Sequence, residues 1–207
     1  MPKQTFFNLP EDKKETLINA AMKEFSRVPL FEASISNIIK DAGIPRGSFY
    51  QYFEDKEDVF FYLLNANSKR DNEKFTSILK EKDGDLFESF IEFFHYMLIK
   101  FQGMENFNFF RNAFLNMNYK VENTLTQNVN EDNIKNPLSE IMGLINTEKL
   151  NITDKQEIFH VLKIFMAVTF QNLIHNFAKD LPLNEAINNY TLELSFLKKG
   201  VYKDVYK

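Results

Sequence analysis

The sequence of 207 residues contains no cysteine and no tryptophan. The absence of cysteine excludes disulfides and thiolate metal sites, which is compatible with a reducing compartment. No charged segment followed by an apolar run opens the chain, so we expect no secretory signal peptide. The longest uncharged run, 164–178, has about 15 residues and includes polar side chains, so it is too short and too polar to span a bilayer. We therefore expect a cytoplasmic protein with no membrane partner.

The sequence also lacks the patterns that mark catalysis and cofactor binding. It has no glycine-rich phosphate loop, no Ser/His/Asp order and no paired-carboxylate motif. His160 and His175 would be separated by about 22 Å of rise on one helix, so they cannot bind one metal ion within a chain, and His95 stands alone. We expect no catalytic residue, no metal and no cofactor. An enzyme is the least favoured interpretation, and only turnover of a trial substrate would support it.

The chain has no excess of positive charge, since its formal net charge is −4. Lysine and arginine are also balanced by aspartate and glutamate within the first 56 residues. A protein that binds DNA through bulk charge is therefore disfavoured, and affinity for DNA would have to come from local placement of cations and from hydroxyl and backbone contacts. A hydrophobic content of 44% indicates a globular protein.

The segment from Ser34 to Phe60 organises the chain. Ser34 can cap a short helix, and Gly43 can end that helix in a left-handed conformation. Pro45 suits the first turn of a second short helix that runs to Tyr52. Two short helices joined by a glycine-containing turn predict a helix-turn-helix, whose second helix enters the major groove of DNA.

The outward side chains of this second helix suit DNA recognition. Arg46 and Gln51 can read base edges, and Ser48 and Tyr50 can bind phosphates. The alternative is that these side chains form an ordinary solvated surface. The predicted DNA-binding residues are Ser34, Ser36, Arg46, Gly47, Ser48, Tyr50, Gln51, Tyr52 and Lys56, the last of which can hold a phosphate at a helix N-terminus.

This segment closely resembles the DNA-binding domain of the TetR family of bacterial transcriptional repressors. The matching residues are Ser34-Ile35, Ala42-Gly43-Ile44, Gly47-Ser48-Phe49-Tyr50, Tyr52-Phe53 and Asp55-Lys56-Glu57, within a pattern that runs from Leu17 to Leu64. The chain departs from the family pattern at Val28-Pro29-Leu30, where the family often has glycine, and at Pro45, where it often has serine.

The resemblance implies an all-α protein. Residues 1–54 would form a three-helix DNA-binding domain, and residues 55–207 a larger helical domain for ligand binding and dimerisation, with the helix 55–74 as connector. It also implies a homodimeric repressor on a pseudo-palindromic, double-stranded operator, released by a small molecule. The alternative is a TetR-like DNA-binding protein without a small-molecule effector, controlled by a protein partner or constitutive.

Helical patterns cover most of the remaining chain. Residues 1–8 resemble a flexible arm, and Tyr119–Lys135 a long loop. The predicted helices are Leu9–Arg27, Asp55–Lys74, Asp85–Gly103, Asn106–Met117, one beginning at Asn136-Pro137, one from a capping box of Thr153 and Gln156 to Lys179, and one from Pro182 to Gly200.

The helix through Val161–Phe177 is apolar on nearly every side, so one face needs a partner outside its own core. With the stripe of Ile187, Leu194 and Leu197 on the last helix, it predicts a four-helix interface between two copies of the chain. The two recognition helices would then lie about 34 Å or somewhat further apart, one turn of DNA.

An aromatic and methionine-rich set predicts the effector site. Its members are Phe101, Met104, Phe110, Phe114, Met117, Phe165, Met166 and Phe170. No charged residue belongs to the set, so the ligand should be mainly apolar, such as a fatty-acyl or aromatic compound. The alternative is an ordinary core that these side chains fill themselves.

Overall fold

The computed structural model describes residues 1–102, 107–116, 120–122, 137–152 and 154–203. The prediction of an all-α protein is confirmed, because within these residues the regular elements are helices and the extended pairing is limited to an isolated bridge between Leu150 and Tyr202. The helices are α1 (Gln4–Phe7), α2 (Glu11–Arg27), α3 (Ile35–Ala42), α4 (Arg46–Tyr52), α5 (Lys56–Glu81), α6 (Leu86–Gln102), α7 (Phe107–Leu115), α8 (Pro137–Leu144), α9 (Lys155–Lys179) and α10 (Leu183–Val201).

The chain divides into two compact units. The first contains Met1–Lys69 and the described part of Gly103–Leu125, and the second contains Arg70–Gln102 and the described part of Thr126–Lys207. Helix α5 therefore contributes to both units. Helix α7 follows α6 in the sequence but packs in the first unit, whereas α6 packs in the second. Neither unit is therefore one continuous segment of the chain. The functional boundary at residue 54 stays a prediction.

In the first unit, α7 packs against the end of α2. The ring of Phe109 lies 6.4 Å from that of Phe25 and 5.3 Å from that of Phe60, measured between centroids. The amide of Asn112 donates to the carbonyls of Phe25 and Ser26, at 3.0 and 3.2 Å. Because the last carbonyls of a helix lack intrahelical donors, this side chain helps to close the C-terminal end of α2.

The prediction of a flexible arm at residues 1–8 is wrong. These residues include the short helix α1, whose Phe6 is only 1% exposed. The ring of Phe6 packs 4.9 Å from that of Phe53 and 5.3 Å from that of Tyr62. Burial of an aromatic side chain favours docking of this segment and opposes the entropy cost of ordering it.

Helices α6, α9 and α10 pack against one another in the second unit. The rings of Phe94 and Tyr190 stack at 4.1 Å, and those of Phe90 and Phe165 lie 5.1 Å apart. The hydroxyl of Thr169 donates to the carbonyl of Phe165, so it accepts from the hydroxyl of Tyr190 at 2.7 Å. Burial raises the pKa of Tyr190, which stays protonated as this hydrogen bond requires.

Helix α9 begins one residue later than the predicted capping box. Asp154 is the N-cap, and its carboxylate accepts from the amides of Gln156 and Glu157 at 2.7 and 3.0 Å. Glu157 accepts in return from the amide of Asp154. Thr153 lies outside the described residues. Asp154 and Glu157 therefore make the reciprocal hydrogen bonds of the capping box. The sequence pattern had assigned these bonds to Thr153 and Gln156, one position earlier in each case.

Asp85 joins the start of α6 to the end of the chain. Its carboxylate accepts from the amide of Glu88, the hydroxyl of Tyr202 and the ammonium of Lys149, at 3.0, 2.9 and 2.8 Å. The hydroxyl of Tyr202 accepts from the amide of Phe87 at 2.8 Å. Burial opposes ionisation of Asp85, but the bonds from Lys149 and from the backbone lower its pKa overall.

The turn before Asp85 requires glycine. Gly84 has a φ of 74°, and a Cβ at this position would lie 2.6 Å from the amide nitrogen of Asn146. Both the left-handed backbone and this close approach exclude a larger residue.

Helix α9 turns one face away from its own unit. Phe165 and Leu173 are buried, while Ile164 is 47% exposed. Gln156–Lys179 is long and apolar enough to cross a membrane by length and composition alone, and 39% of its most apolar 18-residue window is buried in the protein. A single such helix is weak evidence for a membrane span, because helices from the core of soluble proteins pass the same test. Leu194, predicted to lie in the dimer stripe, is instead fully buried in the core.

The exposed apolar residues of α10 occupy other positions. Leu192 and Phe196 are 56% and 60% exposed. They lie one helical turn apart, because residues four apart share a helix face. We refer to these two residues and Ile164 of α9, which is about half exposed as well, as the α9–α10 stripe.

Candidate nucleic-acid interface

The helix-turn-helix forms where it was predicted. Gly43 ends α3 with a φ of 65°, and the amide of Ile44 donates to the carbonyl of Ile39 at 3.1 Å. Pro45 is the N-cap of α4. Phe49 of α4 and Phe53 after it are fully buried, which fixes the face that α4 turns to solvent.

The outward face of α4 carries the predicted recognition residues. Arg46, Gly47, Tyr50 and Gln51 are exposed, whereas Ser48 and Tyr52 are half-buried. The guanidinium of Arg46 lies 3.4 Å from the hydroxyl of Tyr50 and 5.9 Å from the centroid of its ring. This contact presents a cation and a phenol side by side, a pair able to reach a base edge and a phosphate.

A buried carboxylate that sequence reasoning missed holds α3 in place. Glu24 of α2 accepts two bonds from the guanidinium of Arg27, at 2.9 and 2.8 Å, and one from the amide of Ser34, at 2.8 Å. The amide of Asn37 contacts the same carboxylate. The bonds from Arg27 lower the pKa of Glu24 against the opposing effect of burial.

Glu24 changes the predicted role of Ser34. Ser34 is the N-cap residue of α3, but its hydroxyl makes no capping hydrogen bond. Its backbone amide instead donates to Glu24. The start of α3 is therefore positioned from α2, with Ser34 half-buried and Ser36 exposed.

Lys56 makes internal contacts that the sequence analysis did not predict. Its ammonium donates to the carbonyls of Phe31 and Ala33, at 2.9 and 2.8 Å, and so ties the start of α5 to the segment before α3. An ammonium has three donors, so one remains for the predicted phosphate contact. At the same helix start, Asp55 accepts from the amide of Asp58, and Asp58 accepts from that of Glu54.

The predicted effector residues are divided between the two units. Phe110 and Phe114 are buried in the first, and Phe101 and Phe165 are buried in the second, where Met166 and Phe170 are half-buried. Met104 and Met117 lie outside the described residues. The common cavity stays a prediction.

Two depressions can be located among the described residues. One of about 180 Å³ lies in the first unit and the other, of about 320 Å³, on the outer side of α9 and α10. The side chains that line these two do not include the predicted effector residues. The first is lined by Leu30, Phe31, Lys56, Glu57, Phe60, Asn112, Ala113, Asn116 and Val121.

A buried ion pair was also missed by the sequence analysis. Asp71 and the ammonium of Lys100 are in direct contact, with side chains only 14% and 12% exposed. Burial raises the pKa of Asp71 although Lys100 opposes this. The ammonium lies 5.8 Å from the ring of Phe101, so the surroundings of the predicted aromatic set are less uniformly apolar than its composition indicated. Across the described residues, the structure shows no group of three or more His, Asp or Glu side chains able to hold a metal ion.

Comparison with known proteins places these features in a family. Residues 17–63 match the family model for bacterial regulatory proteins of the tetR family, and residues 85–201 match a tetracyclin repressor-like C-terminal domain. Over 70 residues, the chain is 36% identical to YdgC, an uncharacterized HTH-type transcriptional regulator of Bacillus subtilis, covering 34% of this chain and 36% of YdgC. The alignments with three curated regulators cover between 24% and 36% of the length of those proteins.

Solved structures share the fold over nearly the whole chain. SmeT, the repressor of a multidrug efflux pump of Stenotrophomonas maltophilia, aligns with a TM-score of 0.67 at 14% identity and covers 95% of both chains. FadR of Bacillus subtilis, solved with stearoyl-CoA, aligns with a TM-score of 0.58 at 16% identity and covers 86% of this chain and 95% of FadR. The helix-turn-helix and the C-terminal domain thus both match models of one family. The chain belongs to the TetR family of bacterial transcriptional regulators.

Proposed function

We propose that the protein is a cytoplasmic repressor that binds a pseudo-palindromic operator as a homodimer through α4. The exposed Arg46–Tyr50 pair, on a helix whose opposite side is fixed by buried Phe49, carries this proposal. A seven-residue helix that shows a cation, a phenol and a glycine backbone to solvent fits the major groove.

Replacing Arg46 with alanine is expected to cost about 1–3 kcal/mol of binding free energy at its cognate base and to relax specificity there. The measurement is the Kd for a duplex that the unmodified protein selects from a randomised DNA library, and for its single-base variants. Tyr50→Phe removes the phenol hydroxyl alone and should weaken binding less. Lys13→Ala is the matched control, because Lys13 is an exposed cation of α2. Unchanged affinity and specificity for both Arg46→Ala and Tyr50→Phe would contradict the proposal.

The homodimer is supported by the α9–α10 stripe. Three large apolar side chains about half exposed on neighbouring helices are costly to leave in water, and a second copy of the same surface would cover them. Two helices from each copy would then form a four-helix interface.

The effector is proposed to be mainly apolar, of the fatty-acyl or aromatic class. The support is the aromatic content around Phe165 and Phe101, together with a structural relative, FadR, that was solved with stearoyl-CoA. The Asp71–Lys100 pair beside Phe101 offers a place for a polar end of such a ligand. Release from DNA requires that the ligand prefer the state that does not bind the operator.

A panel of acyl-CoA thioesters, free fatty acids and aromatic compounds should contain at least one that weakens binding to the selected duplex by about tenfold or more. Phe170→Ala, a half-buried position, should reduce that response without changing the affinity of the ligand-free protein for DNA. If no compound in the panel weakens DNA binding, the alternative without a small-molecule effector replaces this one.

A further inference from the structure

The C-terminal end of the recognition helix α4 is closed by the N-terminal segment of the chain. The last four carbonyls of α4 belong to Phe49, Tyr50, Gln51 and Tyr52, and such carbonyls have no partner within a helix. The amide of Phe53, which follows the helix, donates to the carbonyl of Phe49 at 2.9 Å. The other three carbonyls need donors from elsewhere.

Lys3 and Thr5 supply those three donors. The ammonium of Lys3 donates to the carbonyl of Tyr50 at 2.9 Å, and the amide of Lys3 donates to that of Tyr52 at 2.8 Å. The hydroxyl of Thr5 donates to the carbonyl of Gln51. A positive charge at this end of a helix is also favoured by the helix dipole.

The N-terminal segment is held firmly enough to act as a cap. Pro2 is buried and Phe6 packs on Phe53, so the donors lie between two anchored side chains. The helix that they cap has seven residues, and a helix this short is not stable by itself. Its geometry depends on what closes its ends.

We propose that Lys3 and Thr5 are positioning residues for operator recognition, which hold α4 in the geometry that presents Arg46, Tyr50 and Gln51 to the bases. This inference depends on the proposed function of α4. Lys3 and Thr5 lie outside the helix-turn-helix, and they affect sequence specificity without contacting DNA.

A direct contact between Lys3 and a phosphate would leave a different signature. Loss of a phosphate contact weakens binding to all sequences and reduces the salt dependence of log Kd by about one. Loss of a cap disturbs the fit to base edges, so it should weaken binding to the cognate duplex more than to a scrambled one. The salt slope and the ratio of the two affinities therefore separate the two roles.

The test uses the full-length protein with the duplex it selects from a randomised library, and with a scrambled duplex of the same composition. Lys3→Met/Thr5→Val removes both side-chain donors and keeps the bulk of each residue. Lys3→Arg/Thr5→Ser retains the donors, and Lys13→Met removes an exposed cation of α2 as a charge-matched control. Thermal unfolding of each variant checks that the fold is intact, which is expected because Lys3 and Thr5 are exposed.

The Lys3→Met/Thr5→Val variant is expected to bind the selected duplex roughly 5- to 20-fold more weakly. Its affinity for the scrambled duplex and the salt dependence of its log Kd should equal the values for Lys13→Met. The Lys3→Arg/Thr5→Ser variant should bind both duplexes as the parent does. Binding equal to that of Lys13→Met on both duplexes would overturn the inference, as would an equal loss on both with a slope reduced by about one. If the parent itself selects no sequence, the proposed function fails, and this inference fails with it.

Discussion

The Ile164→Glu/Phe196→Glu variant is expected to be a monomer and to bind the selected duplex at least about 100-fold more weakly than the parent. Both side chains belong to the α9–α10 stripe, one on each helix. Each substitution places a carboxylate where an apolar side chain would meet its copy across the two-fold axis, and desolvating that charge without a partner is strongly unfavourable.

The loss of DNA affinity follows from the loss of linkage between half-sites. A dimer that has bound one half-site presents the second recognition helix at a high effective concentration, whereas a monomer must bind each half-site independently. The monomer keeps α4 and its contacts, so its affinity for a single half-site should equal that of the parent for the same half-site. Analytical ultracentrifugation and duplex titration measure the two effects.

Ile99→Glu is the matched control for the dimer. Ile99 is 50% exposed on α6, outside the stripe, so the same chemical change there should leave the mass and the DNA affinity of the protein unchanged. A parent protein that is monomeric at micromolar concentration would refute the homodimer. A dimeric stripe variant would show instead that another surface forms the interface.

Replacing Glu24 with alanine should lower the free energy of unfolding by about 3 kcal/mol and weaken operator binding as well. The substitution removes the acceptor for the guanidinium of Arg27, the amide of Ser34 and the side chain of Asn37 together. Ser34 and Asn37 then lose the bonds that fix the start of α3. Arg27 is more than half exposed and can return to water, which limits the cost.

Glu24→Gln isolates the contribution of charge, because it preserves shape and one acceptor oxygen. The lowered pKa of Glu24 means that its ionised form stabilises the fold above the unfolded-state pKa of about 4.5, and that this stability is lost as the pH falls through the lower folded-state value. The stability difference between parent and Glu24→Gln should therefore be constant near neutral pH and shrink below about pH 4.5. Denaturant titrations at a series of pH values measure it, and a difference that does not change with pH would exclude the charge as its source.

Local sequence patterns predicted the helices well, because the residues that start and end a helix act within a few positions of its ends. Gly43 stops α3 by its own backbone freedom, and Asp85 accepts from the amide of Glu88 three residues away. Such signals need no knowledge of the rest of the chain. The helix-turn-helix and the break before α6 were accordingly found from the sequence.

Features that join distant segments were missed. Glu24 meets Ser34 across a turn, and Lys3 meets α4 after a separation of 47 residues. In the sequence Glu24 is one acid among several on a polar helix surface, and Lys3 is one cation in a short segment before the first predicted helix. Nothing in their spacing distinguishes a buried partner from a solvated one, because burial depends on how the helices cross. The same limit applies to the predicted effector site, because its aromatic side chains have the same sequence pattern whether they surround a ligand or pack on one another.

The bond between Asp85 and Tyr202 has a consequence for the order of events during synthesis. The two residues are 117 positions apart, so the ribosome has made all of α6 to α10 before Tyr202 can reach Asp85. Helices α2 to α4 emerge early and can pack against one another at once. In the second unit, the hydrogen bond from Tyr202 to Asp85 cannot form until α10 has left the exit tunnel. A nascent chain arrested between α9 and α10 would expose Asp85 and the apolar faces of α6 and α9 together. Incomplete chains of this kind are recognised by chaperones and proteases, so translation that stops early should leave little DNA-binding fragment to compete for the operator.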